Sequence, residues 1–96
     1  MHISADEAIW MLEKWRDSAV DLRVHLRGRR EPVRAMVESV TGTVVNLVVG
    51  DEKFEIDIQG AEFNGDDQTR STTGKAAYLV CEFSDGGRCS FYVQSA

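Results

Sequence analysis

The segment VDLRVHLR, residues 20–27, decides the fold class. Every second residue is aliphatic and the residues between are charged or histidine, a period of two that is typical of a β-strand with one buried face. The same alternation recurs in KFEIDI at residues 53–58 and in AYLVCEF at residues 77–83. The sequence therefore predicts an antiparallel β-meander of about six strands over residues 19–94.

A helical pattern precedes this strand. Ser4 and Glu7 form an S-x-x-E capping box, which predicts a helix over about residues 4–18. Its apolar residues gather on one side of the helical wheel: Ala5, Ala8, Met11, Leu12, Trp15 and Ala19. Trp10 is the exception, because it falls among the acidic side chains and Lys14 on the polar side. We expect something other than the helix's own core face to cover Trp10.

The strand at residues 43–49, TVVNLVV, is apolar on both alternating sets. This pattern predicts a middle strand covered on both faces, by the helix on one and by the concave sheet interior on the other. Twist and edge protection predict that the sheet bends into a half-barrel or small barrel. The expected fold is a single α+β domain, residues 1–96, with one N-terminal amphipathic helix packed on a strongly bent antiparallel meander. Residues 64–75 are polar and are predicted to form a mobile loop.

Composition narrows the class of protein. The net charge is −5, which disfavours non-specific binding to nucleic acid or to an anionic membrane. No apolar run approaches the ~20 residues of a membrane span, and no signal peptide is apparent, so a cytoplasmic location is expected. Cys81 and Cys89 are predicted to be small, reduced core residues on paired strands. We expect no catalytic residues, no cofactor and no metal.

The charged residues are unevenly distributed along the chain. Acidic side chains crowd residues 51–67, and arginines crowd an earlier stretch: Arg23, Arg27, Arg29, Arg30 and Arg34. Clustered guanidinium groups suit phosphate and other anions, so these arginines are candidate anion-binding residues. The alternative is that they pair with carboxylates of neighbouring strands or of another subunit.

Residues 20–60 resemble the Sm-like proteins. The similar features are Leu26-Arg27-Gly28 at the end of a strand, the string NLVVGD at residues 46–51, and Ile58-Gln59-Gly60. The resemblance implies a small bent β-barrel after an N-terminal helix, assembly into rings and binding of single-stranded RNA. The family's basic–glycine pair corresponds to Gln59-Gly60, which carries no charge, so we expect the barrel and not the RNA binding.

Two functional hypotheses follow. The first is a small non-enzymatic interaction or assembly domain that self-associates, most simply as a dimer, with Trp10 and Lys14 as the candidate interface. The second is a nucleotide or oligonucleotide binder that uses the basic segment Arg23–Arg34. Nucleic acid is the less expected partner, because the chain is acidic and the sequence shows no aromatic residues interleaved among these arginines for base stacking.

Overall fold

A computed structural model describes residues 2–66 and 77–93 of the chain. One helix and eight strands follow one another in this part: β1 (His2–Ile3), α1 (Ala5–Asp17), β2 (Leu22–His25), β3 (Val33–Thr41), β4 (Val44–Val49), β5 (Glu52–Asp57), β6 (Glu62–Asp66), β7 (Tyr78–Glu82) and β8 (Arg88–Val93). The predicted α+β class, with one N-terminal helix on a predominantly antiparallel sheet, is confirmed.

Local sequence signals fix the helix. The Ser4 hydroxyl accepts a hydrogen bond from the backbone N–H of Glu7 at 3.1 Å, so one leg of the predicted capping box forms. At the other end, the backbone N–H of Ser18 donates to the Lys14 carbonyl at 3.0 Å and closes the last turn. The helix buries four of the six residues of the predicted stripe against the sheet: Ala8, Met11, Leu12 and Trp15. The other two, Ala5 and Ala19, are exposed, and Ala19 lies beyond the end of the helix.

The sheet joins two meanders. Its strand order is β1-β6-β7-β8-β2-β3-β4-β5, and neighbouring strands are antiparallel throughout the described residues. Strands β2–β5 form one meander and β6–β8 the other, and the β8–β2 pairing joins them. The described residues contain eight strands instead of the predicted six or so, because β1 and β6 pair with each other and extend one edge.

A short connection forces the sheet to bend. Residues 58–61 alone join β5 to β6, although six strand spacings separate these strands in the sheet. Six spacings would span about 29 Å in a flat sheet, whereas the five peptide steps from Asp57 to Glu62 reach about 18 Å at most. The predicted strong bend follows from this mismatch. Strands β1 and β5 do not pair with each other, so the sheet remains open and is not a closed barrel.

Strand β6 corrects the predicted start of the mobile loop. Asn64 and Gly65, which read as a turn, lie within β6 opposite Val80 and Leu79. Gly65 is needed for close packing, because a Cβ there would lie 2.7 Å from the carbonyl oxygen of Tyr78. The rest of the predicted loop, through residue 75, lies outside the described residues except for Asp66.

The core occupies one face of the sheet only. The inward residues of the strands and the helix stripe form a single cluster, whose largest fully buried members include Phe91, Leu12 and Leu22. The expectation that β4 is covered on both faces is wrong. Val45 and Leu47 face the core, while Val44 and Val48 are only half-buried on the outer face. The helix therefore packs on the same concave face as the rest of the core.

Candidate functional site

The outward side of α1 exposes its first tryptophan. Trp10 is 54% exposed, the largest fraction among the exposed large apolar residues of the described chain. The Lys14 ammonium lies over the indole, 5.1 Å from the ring centroid, in a cation–π contact. A shallow groove of about 340 Å³ lies beside them, which we call the helix groove, and its lining is Trp10, Glu13, Lys14, Asp17 and Ser18. All five lining residues belong to α1 and its C-cap, so the groove lies on the side of the helix away from the sheet.

Two of the charges on this side of the helix lie symmetrically about Trp10, while the two carboxylates that line the helix groove pair with Arg16. Asp6 lies four residues before Trp10 and Lys14 lies four residues after it. Residues four apart share one helix face, at a rise of about 6 Å for four residues. These three side chains therefore present a negative charge, an indole and a positive charge in line, an arrangement that is complementary to itself when reversed.

The structure separates the five candidate arginines into different places. Arg23 lies on the outer face of β2, opposite Arg34 of β3 and opposite Tyr92 of β8. Tyr92 in turn lies opposite Tyr78 of β7, and their rings stack with centroids 6.4 Å apart. We call this line of four side chains across four strands the tyrosine–arginine row.

The two arginines of the tyrosine–arginine row differ in whether a carboxylate pairs with them. Arg34 pairs with the carboxylate of Asp21, whose hydrogen bond raises the pKa of the Arg34 guanidinium. Arg23 has no ion pair with any described residue. Tyr92 is 44% exposed, so an aromatic ring does lie beside an arginine on an open sheet face. The sequence holds a signal for this ring, because the inward alternation of Cys89, Phe91 and Val93 places Tyr92 on the outer face.

Two other arginines lie at the concave side of the bend. Arg27 and Arg29 border a pocket of about 360 Å³ between the free edge of β5, the end of β2 and the β7–β8 turn. We call it the edge pocket, and its lining is Leu26, Arg27, Arg29, Phe54, Glu55, Ile56, Asp57, Phe83 and Cys89. These residues come from distant parts of the chain, so no local sequence motif predicts the pocket.

Arg27 is held firmly at the pocket border. Its guanidinium pairs with the Asp85 carboxylate and lies 5.4 Å from the Phe83 ring centroid. The hydrogen bond from Arg27, together with one from the Gly87 N–H, holds the pKa of Asp85 below its usual value. Arg27 also passes close over Gly87, where a Cβ would lie 2.6 Å from the arginine Nε. The charge of Arg27 is therefore largely neutralised by the Asp85 carboxylate in the β7–β8 turn.

Arg29 is placed differently. Its guanidinium lies 4.8 Å from the Phe54 ring centroid, and it forms no ion pair with any described carboxylate. His25 Nε2 donates to the Arg29 carbonyl oxygen at 2.9 Å and fixes the turn that carries it. The fifth arginine, Arg30, is exposed in the same turn and lines neither the edge pocket nor the helix groove.

The titratable groups of the described chain include two buried cysteine thiols. Burial raises the pKa of both cysteine thiols, Cys81 and Cys89, to about 12, so neither is a thiolate nucleophile near neutral pH. Among residues 2–66 and 77–93, no three His, Cys, Asp or Glu side chains come together in a way that could hold a metal ion. Over the same ranges, no helix has the length and apolarity needed to cross a membrane.

No protein-family model, curated protein or solved structure matches this chain. The class of the protein therefore rests on its fold, an α+β domain with one helix on an open, bent antiparallel sheet. The resemblance of residues 20–60 to the Sm-like proteins stays a prediction.

Proposed function

We propose that this protein is a small non-enzymatic interaction domain that self-associates as a two-fold dimer through the outward face of α1. The observation that carries the proposal is Trp10, which is 54% exposed at the centre of the self-complementary Asp6–Trp10–Lys14 face. Leaving a tryptophan in water forgoes about 2 kcal/mol or more of burial, and tryptophan is enriched at interfaces for that reason.

The spacing of the charges supports a second copy as the occupant. Two antiparallel copies of α1 related by a two-fold axis at Trp10 bring the two indoles together. The same axis places each Lys14 beside the partner's Asp6, because both residues are four positions from Trp10. Each rim pair contributes about 0.2–1 kcal/mol, so the tryptophans supply most of the affinity and the charges set the orientation.

The area available is one helix face, well below that of an obligate dimer. We therefore expect a weak, reversible dimer with a dissociation constant on the order of micromolar. Light scattering coupled to size exclusion, over a hundredfold concentration range, should show mass rising from monomer to dimer. Trp10→Ala should stay monomeric at every concentration at which the wild type dimerises.

Tyr92→Ala is the matched control, because Tyr92 is also an exposed aromatic, at 44%, but lies on the outer sheet face. It should dimerise as the wild type does. A wild type that remains monomeric throughout, or a Trp10→Ala variant that dimerises unchanged, contradicts the proposal. If Tyr92→Ala alone loses the dimer, the interface lies on the outer face of the sheet and not on α1.

The tyrosine–arginine row favours a second candidate function, the binding of an oligonucleotide. A single-stranded nucleic acid is bound by stacking bases on aromatic rings beside cationic side chains, and Tyr92 and Arg23 provide one of each. Fluorescence anisotropy with a labelled RNA of about 12 nucleotides, within the usual range of site sizes, tests this at physiological salt. Binding that Arg23→Ala and Tyr92→Ala both abolish, and Arg30→Ala leaves intact, supports it. Absence of saturable binding by the wild type rejects it.

We also propose a cytoplasmic location. Cys81 and Cys89 lie directly opposite each other on β7 and β8, and both are free thiols. Two neighbouring unoxidised cysteines suit a reducing compartment. Thiol counting on protein isolated from its native source under non-reducing, alkylating conditions should find two free thiols, and a native disulfide would place the protein elsewhere.

A further inference from the structure

We propose that the edge pocket binds a small amphiphilic anion, with its apolar body inside the pocket and its carboxylate or phosphate head on Arg29. This site shares no residue with the helix groove, so it is independent of the dimer. Its apolar interior, the position of Arg29 and the volume of the pocket together define the ligand class.

The interior of the pocket is apolar. Phe54, Ile56 and Phe83 are half-buried and provide aromatic and hydrocarbon surface, while Leu26 and Cys89 are buried and expose little area of their own. The Cys89 thiol remains protonated, since burial raises its pKa to about 12. A ligand body without polar groups would therefore find no unpaired charge inside the pocket.

The acidic side chains of β5 lie on the outer face of the strand, away from the pocket interior. Inward and outward residues alternate along β5, so Phe54 and Ile56 face the pocket while Glu55 and Asp57 are exposed. The Asp57 carboxylate is occupied at the outer face, where it accepts from the Thr43 hydroxyl at 3.0 Å and from the Gln59 N–H at 2.9 Å.

The free edge of β5 explains why Glu55 and Asp57 still border the pocket. Ile58 donates its N–H to the Thr43 carbonyl, so alternate residues of β5 direct their backbone groups to β4. The residues between them direct their N–H and C=O groups to the open edge beside the pocket. These backbone N–H groups add donors that suit an anionic head.

Arg29 supplies the charge for the head group. Its neighbour Arg27 is already neutralised by Asp85, whereas Arg29 pairs with no described carboxylate. The guanidinium also lies on the Phe54 ring at the pocket border, so a head group bound to it would leave the ligand body directed inward. Hydrogen bonds from a guanidinium to a carboxylate are about twice as strong as those between neutral groups.

The volume sets the size of the ligand. At about 360 Å³ the pocket lies near the lower end of the range for small-molecule sites. A water-sized group takes about 30 Å³ in a liquid, so the pocket holds about a dozen such groups. A medium-chain carboxylate such as decanoate has this size and this chemistry, and it is the probe for the test.

Isothermal titration calorimetry with decanoate, at a concentration where it is monomeric, should show saturable binding to one site per chain. Arg29→Gln should weaken the affinity at least tenfold, and Arg29→Lys should keep much of it, because the head group needs the charge. Arg30→Gln is the matched control, one residue away and outside the pocket, and should bind as the wild type does. Neutral 1-decanol should bind at least tenfold more weakly than decanoate.

Several results would overturn the proposal. These are no saturable binding by the wild type, equal affinity for decanol, or equal losses in Arg29→Gln and Arg30→Gln. Inorganic phosphate that binds as tightly as decanoate would show an anion site without a role for the apolar pocket, which also contradicts it. Because Arg29 is exposed, its variants should unfold at the wild-type temperature, which separates loss of binding from loss of fold.

Discussion

The two cysteines should be almost inert in the folded protein. Cys81 and Cys89 are 0% and 1% exposed in the core, and burial raises the pKa of each thiol from 9.0 to about 12. At pH 8 this shift lowers the thiolate fraction from about one in ten to about one in ten thousand. Only the thiolate attacks a disulfide reagent, so the native thiols should react about a thousandfold more slowly than those of the unfolded chain.

The assay is the reaction with dithionitrobenzoate at pH 8, with and without guanidinium chloride at a denaturing concentration. Two thiols should react at once in the denatured protein and neither in the native protein over the same time. The pKa shift also has a consequence for stability. A folded-state pKa above the unfolded value means that the unfolding free energy should fall as the pH rises from about 9 towards 12. Rapid reaction of both native thiols at pH 8 would refute the buried placement of the β7–β8 hairpin.

Three further results are expected. Phe91→Ala should lower the free energy of unfolding by about 3–5 kcal/mol in urea titrations, because Phe91 is fully buried in the single core cluster. Arg23→Ala and Arg27→Ala should each change the free energy of unfolding by no more than about 1 kcal/mol, since both side chains are exposed. The pKa of Asp85, measured by NMR titration, should lie below that of an ordinary aspartate, because Arg27 donates a hydrogen bond to its carboxylate. Arg27→Ala should raise this pKa again. The stabilisation from this depressed pKa is present above the ordinary carboxylate pKa and should be lost as the pH falls through the folded value.

Most of the fold could be predicted because its signals are local. The capping box at Ser4 and the apolar stripe identify the helix, and the period of two identifies the strands from Leu22 onward. Strands β1 and β6 could not be predicted from the sequence. The two residues of β1 are too few to show an alternating pattern, and the Asn64-Gly65 pair of β6 resembles a turn. Their strand character comes from pairing between distant segments, which local propensity does not encode.

The candidate sites were less predictable. Trp10 was identified correctly as lying off the core face, since a helical wheel needs only local spacing. The arginines are close together in the sequence, but strand alternation and the turn at Gly28 place them partly on the outer sheet face and partly at the edge pocket. The edge pocket itself joins residues from the end of β2, β5 and the β7–β8 hairpin. It exists only because the sheet bends.

A mixing experiment tests the central claim, self-association through the Asp6–Trp10–Lys14 face, most directly. Lys14→Asp and Asp6→Lys each place like charges together in the two-fold dimer, so each variant alone should dimerise more weakly than the wild type. Both changes also work against the helix dipole by about 0.3–1 kcal/mol, so thermal unfolding must first show that each is folded.

Mixed in equal amounts, the two variants restore opposite charges at both rims of the dimer. At one rim the unchanged Asp6 of the first variant meets the unchanged Lys14 of the second, and at the other rim the introduced lysine meets the introduced aspartate. Sedimentation velocity should then show a mixed dimer at concentrations where each variant alone is monomeric. A mixture that stays monomeric while the wild type dimerises would contradict the account.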